Sequence, residues 1–130
     1  MITLLLVDDQ NLIRQGLKTL LELEPDLQVI GEAENGQIAI ESVARLQPNV
    51  ILMDIRMPVM DGVTATKEIC QQFPQANILV LTTFDDDTYV AAAIRYGAKG
   101  YLLKDTPSEE IAAAIRAVER GYTHLAPVVG

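Results

Sequence analysis

Cysteine occurs once in this 130-residue chain, at Cys70, and histidine once, at His124. A lone thiol excludes an internal disulfide framework and suits a reducing compartment, so a cytoplasmic setting is expected. The single histidine falls in a C-terminal stretch without amphipathic pattern, which argues against a relay role for it. No apolar run is long enough to span a bilayer, and no basic region precedes the N-terminal hydrophobics; neither a membrane span nor a secretory signal is expected. Basic residues are outnumbered, with 10 Lys+Arg against 18 Asp+Glu and a formal net charge of -8. Gripping nucleic acid needs a basic surface that displaces counterions, so this segment is not expected to bind it. A glycine-rich loop is missing after the first apolar run, which leaves plain nucleotide or flavin binding poorly supported. Internal repeats and low-complexity segments are absent as well.

What is present suits one folded domain: 49% hydrophobic and 22% charged residues over a length ordinary for a single core. Four short apolar runs each end on a residue that can carry chemistry. Leu4-Leu5-Leu6-Val7 leads into Asp8-Asp9, Val50-Ile51-Leu52-Met53 into Asp54, Ile78-Leu79-Val80-Leu81 into Thr82-Thr83, and Gly100-Tyr101-Leu102-Leu103 into Lys104. Runs of this kind read as buried parallel strands, with a weaker fifth strand over Gln28–Ala33.

Helical patterns separate the strands, the arrangement of parallel βαβ units. The first helix runs roughly from Asn11 to Glu22 with an apolar stripe of Ile13, Leu17, Leu20 and Leu21, and Pro25 closes it. Gly36–Leu46 and Gly62–Phe73 form the second and third, the latter stopped by Pro74. A fourth, about Asp86–Tyr96, turns Val90, Ala93 and Ile94 inward and ends at Gly97, suited to a left-handed C-cap. In the fifth, Thr106 reads as N-cap, Pro107 as the first helical residue and Glu109 as the far half of a capping box. Its core stripe is Ile111, Ala114, Ile115 and Val118. From Gly121 to Gly130 the periodicity stops, and the stretch reads as a tail or the start of an interdomain linker.

Open parallel sheets bind ligands where the strands end, at the switch in strand order. Asp8, Asp9, Asp54, Thr82 and Lys104 should therefore share one pocket, a combination suited to a metal ion and a phosphoryl group. Singly, each has a plainer reading: Asp54 as a loop cap, Asp8-Asp9 as a solvated turn, Lys104 as a surface lysine, Thr82 as a strand terminus. Their joint arrival at the ends of four strands favours the site. Asp61 reads as a turn or N-cap residue, Gly62 as a backbone requirement and Cys70 as helix filler.

This plan resembles the receiver domain of bacterial response regulators over essentially residues 2–120. The segment Asp54-Ile55-Arg56-Met57-Pro58-Val59-Met60-Asp61-Gly62 matches the family's loop after the phosphoacceptor. Leu81-Thr82-Thr83-Phe84 and Gly100-Tyr101-Leu102-Leu103-Lys104-Asp105 look most like the NarL/FixJ subgroup. The resemblance implies a doubly wound α/β fold of the flavodoxin/CheY type: a five-stranded parallel sheet of order 2-1-3-4-5 with five helices. It implies a phosphoacceptor signalling domain, not an enzyme in the usual sense, that assists its own phosphorylation and dephosphorylation. Asp54 would take a phosphoryl group from a phosphohistidine on a sensor histidine kinase. Mg²⁺, or Mn²⁺, would be held by Asp9, Asp54 and the backbone carbonyl of Arg56, with Asp8 acting mainly through a water. Lys104 and the Thr82 hydroxyl would bind phosphoryl oxygens, and Thr82 with Tyr101 would form the switch. Arg56 and Phe84 would flank the phosphoryl group, where their size would hinder an attacking water. Where many members follow the pocket lysine with a cis proline, this chain has Asp105.

Residues 1–120 would then be the receiver, with 121–130 opening a linker to a helix-turn-helix domain that binds DNA. A homodimer formed on phosphorylation would fit that output. The alternative is a stand-alone receiver that signals by docking onto a protein partner. A haloacid dehalogenase-type phosphatase also uses an aspartate nucleophile and Mg²⁺, but it needs a second acid two residues later, where this chain has Arg56.

Overall fold

Leu5 and Leu6 are neighbours in sequence yet belong to different cores. Successive side chains of a strand point to opposite faces, so a strand buried on both sides must be apolar at every position. Leu5 and Val7 pack with Ile51, Met53, Ile78 and Val80 on one face of the sheet. Leu4 and Leu6 pack with Val50, Leu52, Leu79 and Leu81 on the other.

The computed structural model describes residues 1–83 and 86–123. The sequence-based expectations for Phe84, for His124 and for most of the C-terminal tail lie outside these residues. The elements are β1 (Ile2–Val7), α1 (Asn11–Leu21), β2 (Leu27–Ala33), α2 (Gly36–Leu46), β3 (Val50–Asp54), α3 (Gly62–Gln72), β4 (Ile78–Thr82), α4 (Asp87–Arg95), β5 (Gly100–Leu103) and α5 (Ser108–Glu119). All strand pairs are parallel, in the order β2-β1-β3-β4-β5. Ala39 and Val43 of α2, Ala65 and Ile69 of α3, and Val90 and Ala93 of α4 cover the first face. Leu21 of α1 and Ile111, Ala112, Ala114, Ile115 and Val118 of α5 cover the second. The fold is the doubly wound α/β sheet expected from the sequence.

Helix α4 ends in a Schellman motif: Ala98 N–H donates to Ala93 O (3.0 Å) and Gly97 N–H to Ile94 O (3.1 Å), with Gly97 at φ +121°. Gly97 thus fills the role read for it. Helix α5 closes the same way, with Tyr122 N–H on Ala117 O and Gly121 N–H on Val118 O, both 3.0 Å.

Two local expectations are corrected. Pro107 has ψ 143°, which is extended, so it is the N-cap and α5 starts at Ser108. The Thr106 capping box does not form; Thr106 N–H instead donates to Leu103 O (3.0 Å), closing the turn that carries Lys104. In α1 the inward face is Arg14, Leu17, Lys18 and Leu21, an i, i+3, i+4, i+7 set rotated from the apolar stripe. Leu12, Ile13 and Leu20 are 85%, 43% and 48% exposed. The rotation goes with Arg14, whose guanidinium donates to Glu32 Oε1 of β2 (3.0 Å) and to the carbonyl of Asp8, and whose side chain is largely buried.

Candidate functional site

Strand β1 has β2 on one side and β3 on the other, so the crevice where strand order reverses opens above the C-terminal ends of β1 and β3. Asp8 and Asp9 follow β1, and Asp54 is the last residue of β3. One carboxylate oxygen from each lies within 4.8 Å of the others, with Asp8 and Asp54 buried and Asp9 exposed. The β4–β5 pairing sets Thr82 opposite Leu103, and Lys104 N–H donates to Thr82 O (2.8 Å). From there Lys104 Nζ reaches Asp54 Oδ1 at 3.0 Å and Asp8 Oδ2 at 3.2 Å.

The backbone around Asp54 is tightly determined. A Cβ on Gly62 would lie 1.9 Å from the Asp54 carbonyl oxygen, so only glycine lets α3 begin against β3. Asp61 is the N-cap of that helix, its Oδ1 accepting from Thr64 N–H (2.8 Å), as the sequence suggested. Between them and Asp54, Met60 N–H donates back to Pro58 O (2.7 Å) around Val59, a β-branched residue at φ +67°. That conformation is strained for valine, and Val59 is held there with its side chain exposed. The Lys104–Asp105 peptide is trans.

Electrostatics separate the acids. Burial first, and the neighbouring Asp8 charge second, push the Asp54 carboxyl up to about 6, against the opposing pull of Lys104. Partial burial disfavours the charged form of Lys104, but its contacts with Asp54 and Asp8 outweigh that and hold the ammonium above its ordinary range. Asp54 Oδ1 is engaged twice, by Lys104 and by the Ile55 N–H (2.8 Å), while Oδ2 makes no hydrogen bond among the described residues. Three hard carboxylate oxygens of converging charge suit Mg²⁺, which binds through a few carboxylates and retains waters.

Thr82 is buried at the edge of this site, and a hollow of about 230 Å³ lies beside it, lined by Thr82, Thr83, Leu103, Lys104 and Asp105. Its hydroxyl faces the Thr83 carbonyl (3.1 Å) and Asp86 Oδ2 (3.3 Å). Tyr101 is half-buried against the first core. The Arg56 side chain turns to Asp86, with Nε 2.8 Å from Oδ1, and lies over the Tyr89 ring. A larger hollow, about 520 Å³, lies at the opposite end of the strands, around Asn49, Pro74 and Asn77, remote from the carboxylates.

Sequence reading missed two residues in this neighbourhood. Asp86 sits in the run Asp85-Asp86-Asp87, where nothing distinguishes it from a helix cap. Arg14 sits on an amphipathic helix, where arginine ordinarily reads as surface.

Residues 4–116 match the family model described as the response regulator receiver domain. The chain is 46% identical over 127 residues to the transcriptional regulatory protein LnrK of Bacillus subtilis (strain 168), covering 98% of this chain and 58% of that protein. It is 48% identical over 125 residues to LiaR of the same organism, covering 96% and 59%. The chain thus spans a little under three fifths of these relatives. A crystal structure of a two-component response regulator of the LuxR family, from Aurantimonas sp. SI85-9A1, superposes with a TM-score of 0.91 at 30% identity, covering 98% of this chain and 91% of that one. On the match over residues 4–116 and the identity to these relatives, with the five-stranded parallel sheet in the order β2-β1-β3-β4-β5, this chain belongs to the response regulator receiver domain family.

Proposed function

We propose that Asp54 accepts a phosphoryl group from a phosphohistidine on a sensor histidine kinase, with Mg²⁺ at the carboxylate cluster, and that the domain then changes conformation to control an output. The observation that carries this reading is Lys104 paired to both Asp8 and Asp54 within a cluster of three converging acids. Asp54 Oδ2 attacks phosphorus, the P–N bond breaks, and its electron pair leaves with the imidazole, so the kinase is the donor and this chain supplies the nucleophile. Asp8, Asp9, Asp54 and the Arg56 backbone carbonyl would hold the ion. Bound there, Mg²⁺ supplies positive charge against the negative charge gathered on the carboxylates and phosphoryl oxygens. Lys104 presents its ammonium to one phosphoryl oxygen, and the Thr82 hydroxyl donates to another. Inward movement of Thr82 frees space for Tyr101 on the next strand, and the face of α4, β5 and α5 changes with it.

A domain covering 1–120, followed by a linker to a DNA-binding unit, agrees with relatives that are longer than this chain and are named transcriptional regulatory proteins. The exposed apolar residues Leu12, Ile13 and Leu20 on α1 support docking of the kinase beside the site, since α1 starts two residues after Asp9. The test is intact-mass analysis after incubation with a small-molecule acyl phosphate and Mg²⁺. One added phosphoryl group is expected in the wild type and none in Asp54→Asn; equal labelling of the two would overturn the assignment.

A further inference from the structure

The residue immediately before α4 is Asp86, and aspartate is among the best N-cap residues because its carboxylate can accept a free N–H of the first turn. Here the side chain makes no cap bond. Its oxygens are committed elsewhere. Oδ1 accepts from Arg56 Nε (2.8 Å) and Nη2, while Oδ2 is shared by the Thr83 hydroxyl (3.1 Å) and the Thr82 hydroxyl (3.3 Å). Asp86 is only 3% exposed, whereas the Arg56 side chain is 64% exposed and rests over the Tyr89 ring, 5.3 Å from its centre. The arginine therefore reaches in from the surface and pins a buried carboxylate against the strand end.

A hydroxyl has one proton to donate. Thr82 has two acceptors in reach in this structure, the Thr83 carbonyl and the Asp86 carboxylate, and the charged one is intrinsically the stronger. A phosphoryl oxygen on Asp54 would be a third. Resting on the phosphoacceptor reading above, we propose that Asp86, pinned by Arg56, is a positioning residue that holds the Thr82 hydroxyl in the resting arrangement and competes with the phosphoryl group for it. The 3.3 Å separation is long for an O–H···O bond, so a phosphoryl oxygen can win the contest, but only after the Asp86 contact is given up. Because Arg56 lies two residues past Asp54 and Asp86 abuts α4, the same contacts tie the nucleophile loop to the helix that carries the readout. The resting population is set by this latch.

The test is the affinity of the folded domain for beryllofluoride with Mg²⁺, a phosphoryl mimic that needs no group transfer, measured by calorimetric titration and by NMR. Asp86→Asn and Asp86→Ala should bind it about threefold to tenfold more tightly than wild type, the scale of one lost competing hydrogen bond. Arg56→Met leaves Asp86 in place unpinned and should give a smaller gain in the same direction. In a Thr82→Val background the gain from Asp86→Ala should vanish, a coupling that a merely structural role would not produce. Wild-type affinity or weaker in both Asp86 variants overturns the latch, as does an equal gain without the Thr82 hydroxyl. Failure of the wild type itself to bind beryllofluoride would instead overturn the phosphoacceptor reading, so the two failures are distinguishable.

Discussion

Lys104 Nζ stands 3.0 Å from Asp54 Oδ1, across a gap that separates the residue after β5 from the last residue of β3. The pair also draws in Asp8, so one ammonium faces two buried carboxylates. Replacing it by an uncharged side chain leaves those acids facing each other. Lys104→Met is expected to lose about 1 to 3 kcal/mol of stability at pH 7 in metal-free buffer. The loss should shrink near pH 4.5, where Asp54 is protonated. Urea unfolding at the two pH values checks this, and a pH-independent loss would mean that the lysine acts by packing alone.

Asp54 itself makes stability depend on pH in a direction opposite to the common one. Its carboxyl titrates near 6 in the folded chain against 3.8 as its ordinary value, so between those values the folded state holds the proton that the unfolded chain has released. The contribution is fully present below about 4 and is lost as the pH rises through about 6. Asp54→Asn removes the penalty and should be more stable than wild type at pH 7, on the order of 2 kcal/mol, with little difference at pH 4. Thermal melts across this range would show the two curves converging at low pH; parallel curves would show that Asp54 is not strained by burial.

Mg²⁺ that binds the assembled acids but not the unfolded chain stabilises by mass action. At a tenfold excess over its dissociation constant the gain is about 1.4 kcal/mol, or a few degrees in Tm for a domain of this size. Asp9→Ala should remove most of that shift without lowering the metal-free Tm, because Asp9 is exposed. A melting temperature indifferent to Mg²⁺ in the wild type would mean that the cluster is not a metal site.

Leu12 is 85% exposed on the first turn of α1, close to Asp9 in the chain. Leu12→Glu should leave the fold and phosphorylation by a small-molecule acyl phosphate unchanged while slowing transfer from the kinase by about tenfold or more, the effect of losing one apolar anchor at an interface. An equal slowing with both donors would place the defect in the pocket instead of in docking.

Much of this was legible in the sequence because the physics acted locally and on every residue at once. A strand buried on both faces is apolar along almost its whole length, so β1, β3 and β4 announce themselves, with Asp8 just past β1 and Asp54 and Thr82 as the last residues of β3 and β4. Gly62 and Gly97 were equally readable, since a missing Cβ or a positive φ leaves few substitutes. What escaped was decided by partners distant in sequence. The α1 face turned on Arg14 finding Glu32, eighteen residues away, and a stripe of leucines cannot report that. The Thr106 capping box failed because the turn from Leu103 claimed the Thr106 N–H first. Asp86 looked like its two acidic neighbours until Arg56, thirty residues earlier, selected it.

The most direct measurement of the central claim locates the phosphoryl group on the chain. Borohydride reduces an aspartyl phosphate to homoserine, so the domain is phosphorylated with an acyl phosphate and Mg²⁺, reduced, digested and sequenced by tandem mass spectrometry. Homoserine at position 54, dependent on the divalent ion, is the predicted result. Homoserine at position 8 or 9, or no reduction product from a domain that has demonstrably bound the ion, would contradict it.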